Sequence, residues 1–535
     1  MRSTAWYRRF RTAGAMGAAL LCVALLGASM QPAQALTTPA LLDSIQHTAF
    51  SYFWNEANPA NGLIKDRSTD TSPCSIAAVG FGLSAICIGI DHGWITREEG
   101  RDRVLTTLET FWNGPQGSGP SGYMGYKGLF YHFLDMNTGM RVWNCELSTI
   151  DTALFLAGVL DAQQYFLGND ATELQIRTLA DDLYLRADWE FMRNLGPGIR
   201  MGWTPEGGFG GFGTWIGYNE ATILYILALG SPTHAVPTST WFTWTSGYDW
   251  LTYYGLSYVN FPPLFGHQYS HCWIDFRNRQ DVYMANKGID YFENSRRATL
   301  AAREYCIDNP LNRVGYSDLV WGLTASDDPW GYLAHGAPPG QNDNGTITPT
   351  AAASSIAFAP EIVIPTLHHF YDSYQSQLWG PYGFKDAFHL GQDWWGPDYL
   401  GIDQGPIVIM IENHLNEAIW SRFMQNPYIQ AGLAAATFVS TAASEPAQRL
   451  LSLGQNHPNP FRADSRIDFT LARGGHASLT LYDVLGRRVA TILDGDISAG
   501  AHQVFLPGEK MQTGVYFYVL QSGGMRLSKN CVIIK

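Results

Sequence analysis

Five stretches of this chain read as helices built from small and apolar residues with almost no charge on any face. They are Ser75–Gly89, Ser148–Leu160, Glu220–Leu229, Thr350–Leu367 and Gln404–Ile411. A helix that is apolar all round must be enclosed by protein, whereas one with a single apolar stripe lies outside. Gly288–Ala302 continues the spacing, giving six candidate inner helices that begin near 75, 148, 220, 288, 350 and 404. Each interval leaves room for a second helix and two loops. Charged, one-sided segments fill these gaps, among them Thr172–Met192 and Arg97–Trp112, which sets Val104, Leu105, Leu108, Phe111 and Trp112 on one face. Six enclosed helices within amphipathic ones predict a mainly α fold, an (α/α)6 toroid over residues 36–432, whose funnel opens where the inner helices begin.

The two ends read differently. Arg2, Arg8, Arg9 and Arg11, the apolar run Met16–Ala28 and the small-x-small triplet Ala33-Gln34-Ala35 predict a secretory signal over residues 1–35. The run falls short of the about 20 apolar residues a spanning helix needs. No later stretch reaches that length without polar breaks, so an exported chain that does not span a membrane is expected. Leu433–Gln448 is rich in small residues and marks a linker over 433–449. Beyond it, Ile467–Leu471, Ala477–Tyr482, Arg488–Leu493, His502–Leu506, Gly514–Gln521 and Met525–Ile534 alternate in hydrophobicity between glycine-rich turns. That pattern predicts a small all-β, Ig-like sandwich over 450–535. Six cysteines follow the signal without a CxxC pair, and buried free thiols are expected for most.

Charge narrows the ligand class. The formal net charge is −13, and the last 86 residues carry 9 basic and 6 acidic groups, which leaves −20 for residues 36–449. Such a domain repels a polyphosphate, so nucleic acid is not an expected partner. Only 15% of residues are charged, while 18 Trp and 27 Tyr are present. Flat aromatic faces with polar tips suit a neutral, polyhydroxylated ligand, and they suit a large core equally.

Carboxylates at the starts of apolar helices are the chemically informative feature. Asp151 lies in Glu146–Leu154 (ELSTIDTAL), and Glu220 in Tyr218-Asn219-Glu220-Ala221. Burial disfavours the charged form and raises a carboxyl pKa, as a general acid near neutral pH requires. Helix capping is the competing explanation, because a first-turn acid also meets the helix dipole favourably. Two carboxylates flanking a glycosidic bond define glycoside hydrolysis. Trp203, Trp215, Tyr218, Trp273, Trp321, Trp394 and Trp395 are candidate sugar platforms, each equally readable as core. Gly207–Gly213 lacks a preceding strand and a P-loop lysine, and fits a loop presenting Phe209, Phe212 and Trp215. His267 and His271 have zincin spacing, but Gln268 stands where that motif needs glutamate, leaving substrate contact or a core role. Asp327, Asp328 and Asp343 lack EF-hand spacing. Neither metal nor cofactor is expected.

Two resemblances add to this. The tail motifs Asn456–Phe461 (NHPNPF), Leu481–Arg487 (LYDVLGR) and Gly514–Tyr518 (GVYFY), with terminal Lys535, resemble the C-terminal sorting domains of type IX secretion. This implies contact with secretion machinery and a secreted or cell-surface location reached through the periplasm. Residues 41–425 resemble the glucoamylase-like (glycoamylase) family, whose members include endo-β-1,2-glucanases on an (α/α)6 barrel. The matching stretches are Glu146–Ala153, Tyr218–Ala221, Tyr225–His234, Pro263–Asp275, Gly288–Leu300, Trp321–Ala325, Gly345–Ala353, Ala359–Pro365, Trp379–Phe388 and Tyr399–Asn413. The resemblance implies an inverting glycoside hydrolase acting on a neutral β-linked glucan, most readily β-1,2-glucan, without metal. Glu220 matches the general acid, with Asp151 or Glu146 as base. Arg296 and Asp403 fall in matching stretches and join His267, His271 and the aromatic residues as substrate-binding candidates. Arg296 and its neighbour Arg297 read equally as structural ion pairs. Cys145, His335 and Asn342–Asn344 depart from the pattern and bear on fine specificity. A non-catalytic surface glycan-binding protein, or a hydrolase or lyase of another polysaccharide, stays open on the residues alone.

Overall fold

The structure, a computed structural model, describes residues 36–441, 451–471, 474–484, 487–498, 500–508, 511–522 and 525–535. The expected signal over residues 1–35 and the linker residues 442–449 lie outside the described residues. The first part of the chain is helical. Its helices are α1 (Thr38–Asn55), α2 (Ile76–Asp91), α3 (Arg97–Asn113), α4 (Thr149–Tyr165), α5 (Ala171–Leu185), α6 (Trp189–Arg193), α7 (Thr222–Gly230) and α8 (Ser239–Thr245). After them come α9 (Val282–Lys287), α10 (Tyr291–Asp308), α11 (Pro349–Ala353), α12 (Pro360–Leu378), α13 (Gly401–Asn416), α14 (Ala418–Phe423) and α15 (Pro427–Ala435).

Serine fixes two of the starts that matter most. The Ser75 and Ser148 side chains accept from the amides of Ala78 and Asp151, satisfying first-turn donors of α2 and α4. From there α2 is buried without a break from Ile76 to Gly89, and α4 from Asp151 to Gln163. The two helices meet glycine to glycine: a Cβ on Gly158 would lie 2.0 Å from the Gly80 carbonyl oxygen. Contacts run from α13 to α2, from α2 to α4 and from α4 to α7. One-sided α3 and α5 pack on one another and on α2 and α4, while α1 covers α13 and α2 and α15 covers α7.

Two expected inner helices differ. Gly288 is the left-handed stop of α9 at φ 73, and α10 beyond it is one-sided, with Arg296, Arg297 and Arg303 in ion pairs on its outer side. The enclosed segment packed near it is a pair of 310 turns, Leu264–His267 and Tyr269–Cys272. Thr350–Leu367 is also divided, with the short, wholly buried α11 followed by one-sided α12. Pro360 opens α12, where its missing N–H costs nothing, and cannot continue a helix from before it.

The helical domain also extends past the expected boundary at 432. Leu433, Ala436 and Phe438 pack into its core, Val439–Ser440 pairs with Arg279–Gln280, and the Thr441 amide donates to Asn278. The tail is a small β domain of two antiparallel sheets. One places Asp464–Leu471 between Leu451–Leu453 and Gly500–Pro507; the other runs Arg488–Ile497, Gly475–Asp483, Gly514–Ser522, Met525–Ile533. Alternate residues Ser465, Ile467, Phe469 and Leu471 turn inward to a core shared with Leu479, Leu481, Leu506, Tyr518 and Ile533. Among the described residues no helix is long and apolar enough to cross a membrane, and all six cysteines are free, five of them buried.

Candidate active site

The starts of the enclosed helices converge on a cavity of about 580 Å³. Ser75 brings α2 to it, Ile150 and Asp151 bring α4, Glu220 precedes α7, Phe265 and Tyr269 come from the 310 turns, and Leu400 and Ile402 from the start of α13. Asp66, Arg67, His132 and Tyr332 complete its polar lining.

Glu220 is positioned through its backbone. Its carbonyl accepts from Ser270 Oγ at 2.9 Å, Ser270 Oγ in turn accepts from the Ile223 amide, and Asn219 Oδ1 accepts from the Ala221 amide. Burial, with a smaller push from the nearby charge of Asp151, raises the Glu220 carboxyl to about 7. A carboxyl with that pKa holds a proton to give at neutral pH. Asp151 sits in different surroundings. Its Oδ2 accepts from Ser148 Oγ at 2.5 Å and lies 3.6 Å from His132 Nε2.

His132 joins two carboxylates. Its Nδ1 lies 2.9 Å from Glu146 Oε1, its Nε2 faces Asp151, and its ring stacks on Phe133 at 3.9 Å. Burial works against the charged ring, but Asp151 and the Glu146 hydrogen bond prevail and raise its pKa to about 9. The same contact lowers the Glu146 carboxyl against the upward push of burial. Ligand atoms of His132, Glu146 and Asp151 lie within 4.8 Å of one another, close enough to share a divalent cation. With its pKa raised, the His132 ring is able to supply positive charge between the two carboxylates.

Behind the wall lies a second acidic group. Arg67 Nη1 reaches Asp327 Oδ2 at 2.9 Å and Asp398 Oδ2 at 3.5 Å. The Asp327 amide donates to Asp386 Oδ2 at 2.7 Å. Burial lifts Asp386 to about 7 and lifts Asp403 well above the usual carboxylate range, with the charge of Asp386 adding to the rise in Asp403.

Residues 213–427 match the glycoamylase family model, described as "putative glucoamylase", and residues 456–535 match a secretion system C-terminal sorting domain. A crystal structure from Bacteroides uniformis carrying that same description is 36% identical; the match covers 76% of this chain and 99% of that one, with a TM-score of 0.71. The chain belongs to the glycoamylase family. An endo-β-1,2-glucanase from Chitinophaga pinensis, solved with sophorotriose and glucose, is 32% identical over 76% of this chain and 99% of its own, with a TM-score of 0.70. An exo β-1,2-glucooligosaccharide sophorohydrolase from Parabacteroides distasonis is 32% identical over 431 residues, 74% of this chain; the chain spans 58% of that relative's length. The relatives with named activities are glycoside hydrolases, and the sorting domain marks an exported protein.

In this glycoamylase-family member, only Glu220 and Asp151 among the sequence candidates line the cavity, with Glu146 one hydrogen bond behind through His132. The substrate-binding candidates lie in the core or on its flanks. Trp215 donates to Thr149 Oγ1, Trp273 to Ser84 Oγ and Trp321 to Thr366 Oγ1, so each indole is enclosed and satisfied internally. Tyr218 packs among Trp244, Tyr248, Tyr291 and His267, and Trp203 against Tyr126 and Phe191. Burial lowers both His267 and His271 to about 3, leaving neutral rings held near the Phe261 carbonyl and Ser295 Oγ. Arg296 pairs with Glu361 at 2.6 Å, Arg297 with Glu293 at 2.7 Å, and Trp395 stacks on Phe388. Asp403 is buried against Asp386 and takes no place in the lining. Sequence reading missed His132, Asp66, Arg67, Tyr332 and Trp143, which fall in no motif, and passed over Phe265 and Tyr269, which lie inside the matching stretch Pro263–Asp275.

Proposed function

We propose that this protein is a secreted glycoside hydrolase that cuts β-1,2-linked glucan with inversion of the anomeric centre. Glu220 gives its proton to the departing glycosidic oxygen while Asp151 takes a proton from the attacking water. Ser148 and His132 hold Asp151, and Glu146 fixes the His132 ring, which makes Glu146 a positioning residue and Asp151 the base. The observation that carries this reading is one cavity holding a carboxyl protonated near neutrality beside a second carboxylate in polar, cationic surroundings. The relatives' named substrates support the linkage. The wider architecture belongs to the same proposal: an (α/α)6 toroid over 36–441, an Ig-like sandwich over 451–535, and a signal over 1–35 that directs export through the periplasm.

The test is a polysaccharide panel. The purified protein is expected to release reducing ends from β-1,2-glucan and much less from β-1,3-, β-1,4- or α-linked glucans, with the α anomer as first product by proton NMR. A first-formed β anomer would contradict inversion. Unsaturated products from a uronate polymer would indicate a lyase instead, and tight binding without cleavage a capture protein.

A further inference from the structure

A second cavity of about 630 Å³ adjoins the first, and Trp143 lines both. Its walls include Asn55, Lys65, Asp70, Thr71 and Asn137, which offer hydrogen-bond donors and acceptors. Lys65 is neutralised by Glu56 at 2.7 Å, so the lining carries no free positive group suited to an anionic chain.

Trp143 is 70% exposed, although a tryptophan at a surface normally covers its apolar face. It stands at φ 56 and is followed by Asn144 at φ 52, two left-handed residues in succession. For a bulky side chain that backbone is an outlier, retained only where the surroundings enforce it. Arg141 does so. Its guanidinium, almost wholly buried, donates to the Cys145 and Asn144 carbonyls at 2.6 and 2.7 Å. It also pairs with Glu206 at 2.8 Å and lies over Tyr131, tying the turn to the glycine-rich loop. The Trp143 ring meets Phe133 at 5.4 Å, and Phe133 stacks on His132. The turn that carries this exposed indole is therefore pinned where the two cavities join, and the ring lies one ring away from the residue that holds the two carboxylates.

We infer that Trp143 is a sugar platform over which a neutral glucan chain passes from the central cavity into the second one. Chains long enough to fill both are then favoured over short oligosaccharides. The flat indole takes a pyranose face, and the uncharged and acidic groups beyond it take hydroxyls. This inference rests on the reading of the central cavity as a glucan-cleaving site.

Trp143→Ala, Trp143→Phe and Thr71→Trp separate the two ideas. The readout is kcat/KM on polymeric β-1,2-glucan divided by kcat/KM on the shortest β-1,2-oligosaccharide that the wild type cleaves. Trp143→Ala is expected to lower this ratio about tenfold, a loss within the range for truncating an aromatic contact to a ligand. Thr71→Trp, placed at an exposed position to obstruct the second cavity, is expected to lower it in the same direction, and Trp143→Phe to preserve it. A wild type that is active while Trp143→Ala and Thr71→Trp leave the ratio unchanged would overturn the platform and spare the reading of the central cavity. A wild type inert on β-1,2-glucan of every length would overturn both.

Discussion

Glu220 and His132 each hold a proton at neutral pH for a different reason, and each reason makes a separate prediction. Glu220 is lifted by burial, whereas His132 is lifted by two carboxylates that overcome burial. Because the folded His132 pKa rises from 6.5 to about 9, the folded state binds that proton more tightly than the unfolded one. The resulting stability is complete below about 6.5 and is lost as pH rises through about 9. Urea unfolding should therefore show the wild type losing about 1–3 kcal/mol more than His132→Gln between these limits. Equal losses would mean that the Glu146 and Asp151 contacts leave the ring untouched. Glu220 and Asp151 were legible in the sequence because a carboxylate opening an apolar helix is unusual. His132 was not, since the fold alone brings it between Glu146 and Asp151. The tryptophans misled for the converse reason: a Trp in sequence does not reveal which neighbour will take its N–H.

Among the elements, α2 and α4 were readable from their runs of small residues, and the structure gives those residues a purpose at the Gly80–Gly158 crossing. A methyl group on Gly158 would press into the Gly80 carbonyl and force apart the two helices whose starts present Ser75 and Asp151. Gly158→Ala should cost about 1–3 kcal/mol of stability, as overpacked cores do, and should lower kcat as Asp151 shifts. A variant with unchanged urea midpoint and unchanged kcat would show that the crossing has slack. The 310 turns at Leu264–Cys272 escaped notice because four-residue turns are too short to show a helical period. Extrapolated spacing put an enclosed helix at Gly288–Ala302, but the glutamate and arginines of α10 belong on an outer surface. Pro360 was a stop signal readable in advance, and it divides α11 from α12.

At the scale of the whole molecule, the helical residues through Ala436 share one core, and residues 453–533 share another. A chain ending at Thr441 should therefore cleave β-1,2-glucan with kcat/KM within about threefold of the full chain, as expected of a domain with its own core. A loss beyond tenfold would show that the sorting domain serves catalysis as well as export. The acidity concentrated in residues 36–449 and the low overall share of charged residues fit a catalytic domain for a neutral chain. The central claim is that Glu220, protonated in its cavity, drives this cleavage. Its most direct test is kcat/KM on β-1,2-glucan for wild type and Glu220→Gln from about pH 4 to 9. Wild-type activity should fall as pH rises through about 7, and Glu220→Gln should be about 10²–10⁴-fold slower and lack that decline. Activity of Glu220→Gln within about tenfold of wild type, or the same alkaline decline in both, would contradict the account.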